Sequence, residues 1–566
     1  MSAHMLRCRL RRDELSNLRY LNYSEENDRI FREYRNSYNR LVRNGKKDYY
    51  RKSIREAGSD SKKLWSCMKS MLGLHKISET CTHLTIDGVK IEDKKDIADR
   101  FNVYLTQLGP KLTPEIPSTN KNFKDYLPPP TPNNFFVPPL YPFKLINIIR
   151  SIKPKKSTDI NDVSMFIISY CAERISTPLT HIYNLSISNG KFPERMKTSK
   201  VIILHKSGPT DEPDNYRGVS LIDNMSKPLE RHYCNSLVDF LTNNRFFNAN
   251  QFGFRRGYST VHNLLNLSNL IIDSLSRNTS CMSIFLDVRK CFDMINREKL
   301  FAKLHCYGIR GLGLDWLKSY YQGRKQRVNF AGTLSNLLEI LLGVLQGSVL
   351  GPILFLIFVN DLASLSDEFL ISLFADDAFT FISRENIVEL IRSARDIIPK
   401  ILEWYHSNSL LVHPLKTQSI IFKTPRARLS EEELRIKQDF DVKIDMNNVG
   451  EDIDGKITKL KLIEDGGSIK HLGMRIDDTL SFKHHINNVY NRNSKIIYSM
   501  RQMRHLLDRK HLLLLYNSYI KSYIEYSSIL LCGAPKSLLD PIIKQQKNAV
   551  RIIEGLKSRD HTAEYF

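Results

Sequence analysis

The chain has no C-x-x-C pair and no Cys/His run with zinc-ligand spacing; its nine cysteines are scattered from Cys8 to Cys532. This excludes a zinc ribbon or a disulfide scaffold and reads as reduced, mostly buried thiols. No apolar stretch follows the first residues, Met1-Ser2-Ala3-His4-Met5-Leu6-Arg7, so secretion is not indicated. A membrane-length apolar run is missing too, since the longest, Leu341 to Val359, is broken by Gln346, Ser348, three glycines and Pro352. Internal repeats and low-complexity tracts are absent. Acidic excess is lacking as well: 84 Lys+Arg against 61 Asp+Glu leave a net charge of +23. A polyanion is therefore the favoured partner, nucleic acid ahead of an anionic membrane. At 566 residues and 42% hydrophobic, the chain is long enough for several subdomains.

Residues 1 to about 75 read as helical and basic, with Tyr and Leu interleaved among Arg40, Arg43, Lys46, Lys47, Arg51 and Lys52. Nucleic-acid contact and a plain solvated helix face both fit that pattern. Leu127-Pro128-Pro129-Pro130-Thr131-Pro132 and Val137-Pro138-Pro139 mark an extended connector, which places a boundary near residue 140. Beyond it come a helical run at Leu145 to Ile149, helices up to Asn189-Gly190, and a strand over Lys200 to Leu204. The turn Lys206-Ser207-Gly208-Pro209 follows. After Leu480 the pattern is helical and basic again.

The most informative segment is Phe374-Ala375-Asp376-Asp377, two adjacent carboxylates between the apolar runs Ile371 to Leu373 and Ala378 to Ile382. Successive strand side chains point to opposite faces, so neighbouring acids approach one centre only at a turn; a strand-turn-strand hairpin is predicted. Upstream, Ser283 to Val288 reads as a buried strand that delivers Asp287 to a cleft, and Asn296 caps the helix that follows. Burying such acids costs several kcal/mol per ion unless a cation or hydrogen bonds compensate. Oxygen ligands without His or Cys suit Mg2+ or Mn2+, and two such ions are the usual clamp for phosphoryl transfer. An ordinary solvated turn is the alternative. Gly343 to Pro352 is a Gly-rich turn leading into an apolar helix, where backbone can approach a ligand closely.

The order of these segments resembles the reverse transcriptase of non-long-terminal-repeat (LINE-type, jockey-like) retrotransposons over roughly residues 140 to 555. Phe285-Leu286-Asp287-Val288-Arg289-Lys290-Cys291-Phe292-Asp293 resembles the first acidic palm motif, Gly343 to Pro352 the glycine-glutamine motif, and Phe374 to Asp377 the acidic pair. Asn215 to Leu221 and Gln251 to Gly257 resemble fingers motifs. Leu411 to Thr417 resembles the later palm motif, and His471-Leu472-Gly473-Met474 the primer grip. The Lys63-Leu64-Trp65 region is similar to the linker ahead of such polymerases.

The resemblance implies an α+β right-hand polymerase: fingers, a palm on a small antiparallel sheet with helices on one face, a helical thumb, and a helical N-terminal extension. The implied boundaries are 1–127 for the basic N-terminal region, 128–141 for the connector, 142–480 for fingers and palm, and 481–566 for the thumb. It implies Asp287, Asp376 and Asp377 as the metal-holding catalytic triad, with Mg2+ or Mn2+. Lys416 would donate a proton to pyrophosphate. Lys206 and Arg217 would hold the incoming triphosphate, Phe292 would exclude a 2′-hydroxyl, and Gln346 and Gly347 would pack against nucleotide and template. Arg255 and Arg256 would meet the template strand, and Leu472 and Gly473 the primer. Plainer readings stand beside these: Lys206, Arg255 and Arg256 as solvated cations, Phe292 as a core aromatic. The implied partners are an RNA template, a DNA primer and deoxynucleoside triphosphates, without a membrane; the implied residence is intracellular, in the nucleus and a cytoplasmic ribonucleoprotein.

Four positions depart from the family pattern: Leu345 stands for the usual Pro, Cys291 for Ala, Gly218 for Pro and His413 for Asn. The apurinic-type endonuclease of intact elements does not precede residue 140, and neither a ribonuclease H domain nor a zinc knuckle is evident, which suggests a truncated copy or fragment. A catalytically inactive nucleic-acid-binding remnant is thus the competing expectation. A group II intron maturase and a metal-dependent nuclease rank behind it.

Overall fold

A computed structural model describes residues 3–58, 60–73, 81–86, 88–424, 430–440, 460–526 and 528–565. The chain forms two compact units, residues 79–481 and residues 1–78 together with 482–566.

The larger unit is built on two sheets. In the first, the continuous apolar strand Ser280–Leu286, buried along nearly its whole length, takes the centre, as a strand covered on both faces must. Gln418–Phe422 and Asp377–Arg384 flank it antiparallel, and Leu370–Phe374 and Lys461–Leu462 form the edges. The order is 461–462, 418–422, 280–286, 377–384, 370–374, antiparallel except for the short 461–462 edge, which runs parallel to 418–422. One face carries Met282, Ile284, Leu286, Ala378 and Ile382, which share a core with Leu390, Ile391, Ala394 and Ile397 of the helix Ile387–Ser407. That helix starts where the Asn386 side chain accepts from the Glu389 amide, and its apolar residues recur every three to four positions. Each of those aliphatic side chains contributes about 1.5–3 kcal/mol on burial.

The opposite face is not open. It presents Phe285 and Phe379, against which His471 packs tilted and edge-on with ring centroids at 4.9 and 5.7 Å, and Ser372, which accepts from Asn263 of the helix Thr260–Ser276 at 2.9 Å. The sheet is therefore covered on both sides rather than on one. Alternating aromatics on the second face require that cover.

In the second sheet, Thr198–His205 pairs antiparallel with Tyr216–Leu221 and parallel with Lys325–Phe330. The helix Lys94–Leu112 packs on it through Ile97 and Phe101, beside Val201, Tyr216 and Val328. The proline-rich connector has no regular element, yet Phe135, Val137 and Leu140 are buried in the main core.

The smaller unit is helical: Ala3–Leu21, Glu25–Ala57 and Ser61–Met71 from the N-terminal part, Lys483–Met503, Arg509–Tyr516 and Lys536–Glu554 from the C-terminal part. Met68 and Leu72 share its core with Ile496, Met500, Leu512, Leu515 and Ile552. Among the described residues no helix is long and apolar enough to cross a membrane.

Candidate active site

The central strand ends at Asp287, and the chain there is fixed from the side. Val288 bridges Val412, the Asp287 carbonyl accepts from the His413 amide at 2.7 Å, and the Asp287 amide donates to Thr417 Oγ1 at 3.3 Å. On the neighbouring strand, Asp377 pairs with Phe374, which leaves Ala375 and Asp376 as a two-residue turn. Ala375 stands at φ +58°, a left-handed conformation that costs an L-residue about 1–2 kcal/mol. Because Ala378 faces Leu286 in the register, Asp377 comes to the same sheet end as Asp287. Limited hydration in the cleft, and then the charges of Asp376 and Asp287, push the Asp377 carboxyl up to about 6. Lys416 places its ammonium 3.8 Å from Asp287 Oδ2. Among the described residues no three His, Cys, Asp or Glu side chains are drawn together tightly enough to hold a metal by themselves.

The Gly-rich turn folds against the segment that follows Asp287. Gly343 and Gly347 sit at φ +82° and +109°, and a Cβ at Gly347 would stand 2.5 Å from the Ser220 carbonyl. Only glycine fits that approach. The Gln346 carbonyl accepts from the Ser220 amide at 2.8 Å, tying the turn to the strand Tyr216–Leu221, while its Nε2 donates to the Asp293 carboxylate at 3.2 Å. Phe292 stacks on Phe355 at 4.4 Å and lies half-buried beside the acids' strand.

Cations collect around the hairpin of Thr198–His205 and Tyr216–Leu221. Lys206 and Arg217 are exposed on it, and its strands pair with each other and, on the 198–205 side, with Lys325–Phe330. Lys290, in the left-handed region at φ +45°, reaches Tyr104 Oη and the Asp214 carbonyl, both at 3.4 Å. Burial lowers its pKa, Asp214 and Asp293 oppose that, and Lys206 and Lys416 add to it, so the three lysines lie within electrostatic reach of one another. Asp293 is pushed up to about 6 by burial, against the pull of Lys290, Arg217 and Gln346.

The segment 248–257 runs along the acidic hairpin. Arg255 donates to the carbonyls of Asn248 and Gln251, both at 2.9 Å, and its guanidinium lies over Tyr258 at 4.5 Å. Arg256 is exposed. Leu472 and Gly473, at φ +44° and +86°, form the turn between Ser468–His471 and Met474–Asp477. Burial lowers the adjacent His471 to about 4.

Asp287, Asp376, Asp377 and Lys416 are thus brought to one sheet end, with Phe292, Gln346 and Gly347 behind it. Sequence reasoning gave no role to Asp293, Lys290 or Gln251. The signal for Asp293 was available, an acid six residues after Asp287 in the same motif. Lys290 and Gln251 carried none, because their partners Tyr104, Asp214 and Ala375 lie far away in the chain. Of the four departures, Gly218 has a local reason: a Cβ there would meet Leu105 at 2.8 Å, so the helix 94–112 occupies the space.

Residues 204–476 match the family model described as reverse transcriptase (RNA-dependent DNA polymerase). The chain is 26% identical over 464 residues, 79% of its own length and 47% of the relative's, to the "Probable RNA-directed DNA polymerase from transposon BS" of Drosophila melanogaster. It is 27% identical to the RNA-directed DNA polymerase from mobile element jockey of Drosophila funebris, over 60% of this chain and 35% of that one. The chain spans about half the length, or less, of the curated relatives it matches. Among solved structures, telomerase from Candida albicans in complex with a telomeric RNA fragment aligns over 69% of this chain and 67% of its own, at 14% identity and a TM-score of 0.36, too loose a likeness to argue from.

Proposed function

We propose, from the match of residues 204–476 to the reverse transcriptase family model, that the chain is the RNA-directed DNA polymerase of a non-LTR retrotransposon. It extends a DNA primer on an RNA template with deoxynucleoside triphosphates. The observation that carries this reading is the convergence of Asp287 with the Asp376-Asp377 turn at one end of a sheet, beside exposed cations.

By its chemistry the donor set suits a divalent metal, and the three carboxylates would have to close in on one ion from the positions they hold. All three side chains offer only hard oxygen ligands, and both causes that raise Asp377, desolvation first and then the charges of Asp376 and Asp287, are ones a bound cation opposes. Asp287, Asp376 and Asp377 would hold Mg2+ or Mn2+, which when bound supplies Lewis acidity to the attacking 3′-hydroxyl and the leaving pyrophosphate.

The chain's own groups do the rest of the work. Arg217 and Lys206 bind the triphosphate through charge-assisted hydrogen bonds. Phe292, held flat by Phe355, stands under the sugar and rejects a 2′-hydroxyl; Gln346 and Gly347 bring backbone against nucleotide and template. Lys416 delivers a proton to pyrophosphate as the primer oxygen displaces it from the α-phosphorus. Arg256 meets the template from a loop that Arg255 holds in shape, and Leu472-Gly473 meets the primer end. Residues 142–480 serve as fingers and palm, 481–566 as thumb, and 1–127 as the N-terminal extension. Copying an element's RNA implies work inside the cell, in the nucleus and in a cytoplasmic ribonucleoprotein.

Primer extension on a homopolymeric RNA template with Mg2+ or Mn2+ tests the reading. Product from the wild type and none from Asp376→Ala is expected; soluble, folded wild type that matches the mutant would sink it and leave the inactive remnant.

A further inference from the structure

Gln251 is fully buried, and its Nε2 has no hydrogen-bond partner. Its Oε1 accepts from the Gly253 amide at 2.9 Å and faces the Ala375 amide at 3.4 Å, across 124 residues of chain. The backbone around it makes a single parallel bridge to the edge of the acidic hairpin. Gln251 bridges Leu373, the Leu373 amide donates to the Asn250 carbonyl at 2.8 Å, and the Phe252 amide donates to the Leu373 carbonyl at 2.8 Å. Gly253 then lies so near the turn that a Cβ would stand 2.3 Å from the Ala375 nitrogen. Arg255 locks the same loop from behind through the Asn248 and Gln251 carbonyls.

These contacts all end on one strained point. Ala375 occupies the left-handed region without glycine's freedom, and its amide would be a buried orphan in the absence of an acceptor. A side-chain oxygen aimed at that amide, with a glycine backbone packed against it, both satisfies the donor and blocks the turn from relaxing.

We propose that Gln251 is a positioning residue for polymerisation: its Oε1, with the Gly253 backbone, holds the left-handed Ala375 turn so that Asp376 and Asp377 stay in register with Asp287. The inference rests on the polymerase reading for its catalytic consequence, but the brace itself is a property of the protein without metal or substrate.

Hydrogen–deuterium exchange on the metal-free full chain reads the brace directly. Gln251→Met keeps the length and removes the acceptor; it is expected to speed exchange of the Ala375 amide about tenfold, while Gln251→Glu, which keeps an acceptor oxygen, preserves protection. In primer extension, Gln251→Met is expected to lower kcat by about 10²-fold with nucleotide KM unchanged. Adding Ala375→Gly, which removes the left-handed penalty, restores kcat by about tenfold, a coupling that general loss of packing would not produce. Gln251→Asn, with its acceptor withdrawn, gives the same exchange test should the Met variant not fold. Unchanged exchange at Ala375 in a folded acceptor-less variant overturns the brace, whatever the activity. Faster exchange in a protein whose wild type does not polymerise upholds the brace and overturns the polymerase reading instead.

Discussion

Two basic segments flank the acidic sheet end, and they spend their cations differently. In the hairpin of Thr198–His205 and Tyr216–Leu221 the strands lie paired in a sheet, and Lys206 and Arg217 stay exposed. In 248–257 only Gln251 bridges a strand, the Asn248 carbonyl takes the Gln251 amide, and Arg255 turns inward to donate to the carbonyls of both. The same residue type points to solvent in one setting and is a structural strut in the other. What differs is the backbone beside it, paired strands in the first and a loop with inward carbonyls in the second.

The sharpest way to break this contrast is Gly253→Ala. A methyl 2.3 Å from the Ala375 nitrogen forces the loop or the acidic turn to move. Primer extension should fall on the order of 10²-fold and urea unfolding should show a loss of about 1–3 kcal/mol; a silent variant would mean that 248–257 does not support the acids. Next comes Arg217→Ala, expected to raise nucleotide KM about tenfold or more through loss of charge-assisted bonds, with little change in unfolding. Its counterpart Arg255→Ala should do the reverse, lowering stability by about 1–2 kcal/mol while nucleotide KM stays put.

A smaller effect separates the buried acid between the segments. Asp293 has its folded pKa raised to about 6, so the protonated form is favoured by folding; that stability is fully present below the ordinary carboxylate range and is lost as pH rises through about 6. Asp293→Asn should therefore flatten the pH dependence of unfolding between about pH 4 and 6, measured in urea at constant salt. The smallest change is expected from Arg256→Ala: a few-fold weaker RNA binding that fades as salt is raised.

Much of the sheet architecture was legible in the chain. The apolar run before Asp287, the paired acids between apolar flanks, the strand at 200–204 and the Asn296 cap are local patterns, and the structure shows a strand end, a two-residue turn, a strand over Thr198–His205 and a capped helix at those places. What was not legible is non-local. Nothing near Arg255 in sequence shows that its guanidinium will turn inward to the Asn248 and Gln251 carbonyls, and nothing near Gln251 shows that Ala375 will need an acceptor. The helix Lys94–Leu112 reads as part of an N-terminal extension, yet Tyr104 hydrogen-bonds Asp214, and Leu105 fills the space beside Gly218. The cover on the second sheet face escaped for the same reason, since His471 and the helix 260–276 come from distant segments.

Single-nucleotide incorporation on one RNA–DNA hybrid, titrated with nucleotide for Arg217→Ala and Arg255→Ala side by side, tests most directly the claim that the exposed hairpin serves the acids while the irregular loop braces them. The account predicts a nucleotide KM raised about tenfold or more for Arg217→Ala and unchanged for Arg255→Ala. Equal shifts in both variants, or a shift in Arg255→Ala alone, would contradict it.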